Sequence, residues 1–299
     1  MRHLVFIESL AQHGNIRQAA RDLCISQPAA SKLLQDIEAT FEVRLYERTA
    51  HGIKSTPSGD VLLHWARRAL ADMDAAQSEL AALHGGWEGR VRVGVFPVAA
   101  PVLVPDTIVR LRSSRSRIRI SIEEGIEDRL IPMLEVGAID CVIGRITLHP
   151  DSRAIATEAL FEEPTVVVCA ADHPLLSIKD WLAADLDRHD WILPSTTAPL
   201  CSLVTAALSA RHAGPPRVSV ETSSILTLVE VVSRSTLLSA ISQGTARRFV
   251  DTGQLAILPL RLAHTLHPVG IMTARDHAAN PATLAFLDAV RASARSHHS

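Results

Sequence analysis

Leu4, Ile7, Leu10 and Ala11 recur at the three- and four-residue steps of a helix that should stop near Gly14. Asn15 then reads as an N-cap, with Gln18 three residues on completing a capping box. Ile16, Ala19, Ala20 and Leu23 give a second helix its buried face. Ser26 caps a third, Pro28 sits in its first turn, and Ala30, Leu34, Ile37 and Phe41 form one apolar stripe. "VRLYERTAHGIKSTPSG" then reads as two short strands about Ala50-His51-Gly52, with Gly52 supplying the turn and Pro57 closing the unit.

From Ser58 to His84 the chain has Gly59 but no further Gly and no Pro. Leu62, Ala66, Ala69, Met73, Ala76, Leu80 and Leu83 alternate steps of four and three, which predicts a long helix. Its stripe is either a seam between two copies of the chain, favoured by its length, or an amphipathic face packed on its own chain. Gly85-Gly86 ends it. Beyond, the β-rich runs "RVRVGVF", "RIRISIE", "IDCVIGRI", "TVVVCAA", "DWILP", "RVSVE" and "TLLSAIS" alternate with helical segments such as 126–137 and 224–234. That alternation predicts an α/β sheet with crossovers.

Length and composition narrow the classes. A chain of 299 residues holds two or three domains, and 47% apolar with 21% charged residues is globular. The net charge of −2 excludes a wholesale polyanion-binding coat, but not a small DNA-reading unit on a larger neutral one. Cys24, Cys141, Cys169 and Cys201 are scattered without a CxxC pair, as in a reducing cytoplasm. The charged N-terminus is no signal peptide, and no run reads as a membrane span.

Two helices joined by "CIS" make a helix-turn-helix candidate. Opposite the buried side of the third helix stand Gln27, Pro28, Ser31, Lys32 and Gln35. Such side chains suit a helix in a major groove, where Gln bonds adenine bidentately and Ser takes a base edge or phosphate. Arg48, His51 and Lys54 cluster in the hairpin, where a wing meets phosphates or the minor groove. The alternative is a small protein-interaction domain, since residues 1–60 carry as many acids (Glu8, Asp22, Asp36, Glu38, Glu42, Glu47, Asp60) as bases (Arg2, Arg17, Arg21, Lys32, Arg44, Arg48, Lys54). On the DNA reading the acids lie away from the contact face.

The motifs "AARDLCISQPAASKLLQDIE" and "VRLYERTAHGIKSTPSGDVLL" combine AA-x-x-L, SQPA-x-S, L-x-x-R and TP-x-G. In this combination residues 4–64 resemble the winged helix-turn-helix of the LysR-type transcriptional regulators, and the layout of nearly all the chain is similar. The resemblance implies DNA contacts from Gln27, Pro28, Ser31, Arg48 and Lys54. It further implies a linker-helix dimer and a two-lobed effector domain shaped like a periplasmic binding protein. On it, residues 1–60 bind DNA and 61–89 form the linker and dimerisation helix (Leu62, Ala69, Met73, Ala76, Leu80, Leu83). Residues 90–163 and 264–299 make one lobe and 164–263 the other, with hinges near Glu163-Pro164 and Ala263-His264. The partners expected are double-stranded DNA, a small-molecule effector, further copies in a homodimer or homotetramer, and RNA polymerase. The chain departs from the family pattern at Ala30 (usually Leu), Leu33 (commonly polar), Phe41-Glu42 (where a Gly is common) and Ser55 (usually Leu). Ala30 removes core volume, for which Leu33 is the candidate compensation.

In open α/β sheets ligands bind where strands end against helix N-termini. Four such junctions are legible: Pro97, Val98 and Ala99 entering a helix; Ser195, Thr196 and Thr197; Ser223 and Ser224; and Gln243 after Ser242. Offering hydroxyls and backbone N–H groups without acids, they suit a small polar or anionic metabolite; singly, each is equally an N-cap. Arg145, ending "CVIGR", either pairs a carboxylate ligand or is solvated. "GVFPVAAPVLVP", "GAIDCVIGRI" and "VVVCAADHPL" are most similar to the galactose-binding-protein regulator branch, which implies a sugar or related effector. No esterase elbow, P-loop, Rossmann fingerprint or HExxH is present, so neither enzyme chemistry nor a cofactor or metal is expected. The rival is an enzyme or binding protein with an appended interaction domain. Cys201, near a helix start, is a redox candidate or a plain thiol.

Overall fold

The computed structural model describes residues 1–49, 52–85, 89–114, 117–146, 154–194, 199–260, 262, 266–276 and 279–296, apart from the side chains of residues 48, 78, 79, 81–83 and 85. The first unit comprises α1 (Arg2–His13), α2 (Ile16–Asp22), α3 (Gln27–Phe41), β1 (Tyr46–Thr49) and β2 (Gly52–Ser55). Gly14 ends α1 in the left-handed region at φ 58°. Asn15 caps α2 by accepting the Arg17 N–H. The expected capping box is not closed by Gln18, whose amide interacts with Asp22 one turn on. Ser26 caps α3 through the Ala29 N–H.

Phe6, Ile7, Leu10, Ala19, Ala20, Ala30, Leu34 and Ile37 form the core of this unit, and Leu33 packs against it beside the fully buried Ala30. Phe41 departs from the expected stripe: it is 54% exposed. It is the last residue of α3, and the chain turns away at Glu42, whose φ is 54°. The antiparallel hairpin pairs Tyr46 with Ser55 through to Thr49 with Gly52. Its exit explains the TP-x-G motif. Thr56 Oγ1 accepts the Gly59 N–H and donates to the Arg44 carbonyl at 2.7 Å, and a Cβ on Gly59 would stand 2.2 Å from the Leu45 carbonyl oxygen.

Helix α4 (Pro57–Gly85) runs 29 residues and splits the expected seam. Leu62 and Ala66 pack into the core of the first unit, against α1, so Leu62 does not face a partner. The strip beside them carries Trp65, Met73, Ala76 and Leu80, all exposed, and a half-buried Ala69. The helix needs one face for its own chain before it can offer another. The Leu83 side chain lies outside the described residues.

Beyond α4 stand two sheet-centred units. The first sheet has the order β4 (Arg119–Glu124), β3 (Arg90–Val95), β5 (Cys141–Arg145), β12 (Val269–Ala274), β6 (Ile155–Phe161). β3 lies parallel to β4 and β5, and β12 antiparallel to its neighbours. Val91, Val93, Val95 and Ile143 face α5 (Val104–Ser113) and α11 (Pro281–Ser296); Val142 and Met272 face α6 (Glu127–Glu135). This is strand alternation in a sheet covered on both sides. The helix expected straight after Pro97 starts only at Val104, after turns, because Pro101 disfavours helical geometry at Ala100.

In the second unit β7 (Thr165–Ala170) lies between β10 (Ser239–Ser242) and β11 (Leu255–Leu258), and β8 (Asp190–Leu193) pairs with β9 (Arg217–Glu221). A Trp191–Leu238 bridge joins the two groups. Val167, Trp191 and Leu193 face α8 (Pro199–Ser209), while Val168, Ile192 and Ile241 face α9 (Ile225–Val232) and α10 (Gln243–Asp251). The seven expected strands are present; β6, β11 and β12 are additions. Ala263 and His264 lie outside the described residues. Among the described residues no helix is long and apolar enough to cross a membrane.

The second unit contains a buried imidazole. His173 Nδ1 accepts the Leu175 N–H, Nε2 bonds the Thr236 carbonyl at 3.2 Å, and His189 stacks beside it at 4.6 Å. Burial holds its pKa below the ordinary histidine value; the Thr236 bond opposes this and His189 adds to it. The unfolded chain therefore takes the proton first as pH falls. Stability is fullest above the unfolded pKa and declines as pH drops through it. Asn at 173 keeps the N-cap and removes the titration. Denaturant midpoints taken at about pH 7.5 and about pH 5.5, either side of the free imidazole pKa, should fall further in the wild type than in His173→Asn. Equal falls would contradict this origin.

Candidate DNA face and effector cleft

On α3, Gln27, Pro28, Lys32 and Gln35 are exposed and Ser31 is half-buried. Ser31 and Gln35 face a groove of about 730 Å³ whose far wall is Arg44, Glu47 and Ile53 of the hairpin. Lys54 is exposed and pairs across the ladder with Glu47. The Arg48 side chain and all of His51 lie outside the described residues. The structure thus places the α3 residues on one surface with Lys54 on the adjoining hairpin.

Glu38, which the sequence analysis did not single out, holds that geometry. Its carboxylate leaves α3 to accept the Leu45 N–H at 2.8 Å and the Tyr46 N–H at 3.3 Å. Tyr46 donates to the Ile7 carbonyl at 3.3 Å, and burial pushes its phenol up to about 12, so it remains a neutral donor. Other acids are engaged too. Asp22 accepts from Ser9 and pairs with His13, which hold it below the usual carboxylate range, and Glu8 meets Arg67 at 3.9 Å. Of the acids on α3 and the hairpin strands, Asp36 and Glu47 are exposed. Asp22, Asp36, Glu42, Glu47 and Asp60 are nonetheless exposed, so the surface of the unit stays mixed in charge.

The second candidate site is a cavity of about 300 Å³ between the two sheet-centred units. Pro97, Val98, Arg145 and Ser223 line it. Ala99 does not: it is buried in the core of the first sheet-centred unit. Ser224 instead caps α9 through the Thr227 N–H, and Gln243 donates its backbone N–H to the Pro164 carbonyl. Ser195, Thr196 and Thr197 lie outside the described residues. The expected absence of acids fails at Glu127, in the first turn of α6. The described part of the wall is mostly apolar, where a polar lining was expected.

Arg145 is half-buried, and three of its five N–H groups bond described residues. It donates to the His267 carbonyl (2.9 Å), the Glu163 carbonyl (2.9 Å) and Thr165 Oγ1 (3.2 Å). Glu163 and His267 stand on the two segments that connect the sheet-centred units. The Glu163 carboxylate in turn accepts the Gly244 N–H at 2.7 Å. Burial pulls the Arg145 pKa below its ordinary value, against the pull of Glu163 and Glu162.

A capped helix-turn-helix with a hairpin wing, a long helix and a two-unit cleft domain match known proteins in the same order. Residues 1–60 match the bacterial regulatory helix-turn-helix protein model of the lysR family, and residues 84–295 match the LysR substrate binding domain. The chain belongs to the LysR family. It is 31% identical to the transcriptional regulator GbpR of Azospirillum brasilense over 98% of this chain and 86% of that protein. Against the transcriptional regulator GalR of Pseudomonas putida it is 29% identical, over 97% and 73%. The crystal structure of CbnR, a LysR family transcriptional regulator, shares the fold at TM-score 0.67 and 20% identity, over 98% of both chains. These relatives are regulators and the family is non-enzymatic, so this LysR-type chain is not an enzyme.

Two residues that matter here carried no sequence signal. Glu38 reads as an ordinary helix-surface acid, and Trp65 is hidden by the more regular Leu/Ala stripe beside it. Because Glu38 satisfies two N–H groups at the root of the wing, Glu38→Ala should cost about 1–3 kcal/mol, read as a lower denaturant midpoint. An unchanged midpoint would show that the wing holds without it.

Proposed function

We propose that this LysR-type DNA-binding transcriptional regulator reads promoter DNA as a symmetric oligomer and responds to a small metabolite in its C-terminal cleft. The carrying observation is the exposed row Gln27, Pro28, Lys32 and Gln35, with Ser31 beside it, on a helix pinned to a wing by Glu38. Gln27, Ser31 and Gln35 reach base edges, while Lys32, Lys54 and the wing residues Arg48 and His51 meet phosphates. The solved complex of full-length CbnR with its target DNA, similar at TM-score 0.67 and 21% identity, supports this reading.

The oligomer forms on the second strip of α4, through Trp65, Ala69, Met73, Ala76 and Leu80, with Leu83 continuing the spacing. Arg68 lies over the Trp65 ring and donates to the Asp276 carbonyl, tying that strip to the cleft domain. The assembly is a homodimer or homotetramer acting in the cytoplasm, with RNA polymerase as a further partner at the promoter. The cleft's apolar wall argues against the sugar effector that the resemblance implies.

Two substitutions separate reading from positioning. Gln27→Ala should cost about 1–3 kcal/mol on the preferred sequence and relax sequence choice. Lys54→Ala should weaken all sequences alike and lower the salt slope by about one unit. Quantitative binding against matched and scrambled duplexes decides; identical behaviour of the two variants would overturn the division. Independently, Leu80→Glu should reduce the assembly order seen by sedimentation, and an unchanged mass would remove α4 from the interface.

A further inference from the structure

We propose that the cleft takes a compact, neutral, largely apolar molecule carrying a single hydroxyl or carbonyl, rather than a carboxylate or a sugar. The inference rests on the reading of the cleft as the effector site. Val98, Ile126, Ile146, Leu200, Ile225 and Ile241 supply the wall. At about 300 Å³ the space matches the small end of ligand pockets, and at about 30 Å³ per water-sized group it holds roughly ten non-hydrogen atoms.

Several of the described polar groups facing the space are already partly engaged. Arg145 donates to two carbonyls and a hydroxyl, and Thr165 receives one of those bonds. Thr222 accepts the Ser224 N–H, and Ser242 accepts the Thr245 N–H while donating to the Thr245 hydroxyl. A carboxylate drawn to Arg145 would share a guanidinium that already bonds two connecting segments, and it would meet Glu127 on the same wall. A sugar would bury most of its hydroxyls against the aliphatic carbon of the described wall. Among the described lining residues, the exposed Ser223 offers a hydroxyl at the rim for one polar group.

The full-length protein is titrated with benzyl alcohol, benzoate and D-galactose, by calorimetry and by thermal shift. Benzyl alcohol should bind at least about tenfold more tightly than either, because an unpaired buried charge or hydroxyl set costs more than that. Its affinity should change less than about twofold between low and high salt, as no ion pair forms. Ser223→Trp, at an exposed rim position, should weaken it. Tighter binding of benzoate or galactose, lost in the same variant, would overturn the ligand class but keep the cleft as the effector site. Binding of none, or binding indifferent to Ser223→Trp, would overturn both.

Discussion

The cleft domain turns on one guanidinium. The chain passes between its two sheet-centred units by two segments far apart in sequence, and Arg145 bonds a carbonyl on each, at Glu163 and at His267. Glu163 extends the connection to the first turn of α10 through Gly244. Three N–H groups of the half-buried Arg145 bond these segments and Thr165, so keeping those bonds requires both segments to hold their places. The relative setting of the two units, and with it the width of the cleft, follows from that requirement. A ligand filling the apolar space would act on this arrangement by favouring one setting over another, which is all that coupling to DNA binding demands.

A similar economy operates at the other end of the molecule. The N-terminal unit is electrically balanced; α3 presents Gln27, Lys32 and Gln35 to solvent, with Lys54 on the hairpin, and turns Glu38 to the wing. Glu38 is the informative case: an acid on the reading helix serves backbone N–H groups of the wing instead of facing a polyanion. Between the ends, α4 gives one face to α1 and another to solvent, and Arg68 fastens it to the turn after β12. The chain thus has a continuous physical path from the cleft domain to the reading helix.

Much of this was legible in the sequence. Helix caps at Asn15 and Ser26, the Gly14 stop, the hairpin and seven strands follow from local rules, because each depends on residues within one turn or one strand. β6 was missed because small Ala residues and Glu158 mask its alternation. Phe41 was misjudged because periodicity does not say where a helix outruns its cover. The cleft was harder still. Its junctions were found, but its chemistry was read as polar because Ser and Thr residues do not reveal whether they face a ligand or bond their own backbone. Ser224, Ser242 and Thr222 do the latter. Neither reading of Arg145 in the sequence anticipated its bonds to segments 18 and 122 residues away.

Selection from a pool of random duplex DNA by the purified full-length protein, followed by sequencing, tests the central claim most directly. A two-fold assembly placing two copies of α3 in successive major grooves predicts an interrupted palindrome with half-sites about one helical turn apart. Recovery of no consensus at moderate salt would contradict it and would return the exposed row on α3 to a role in protein contacts.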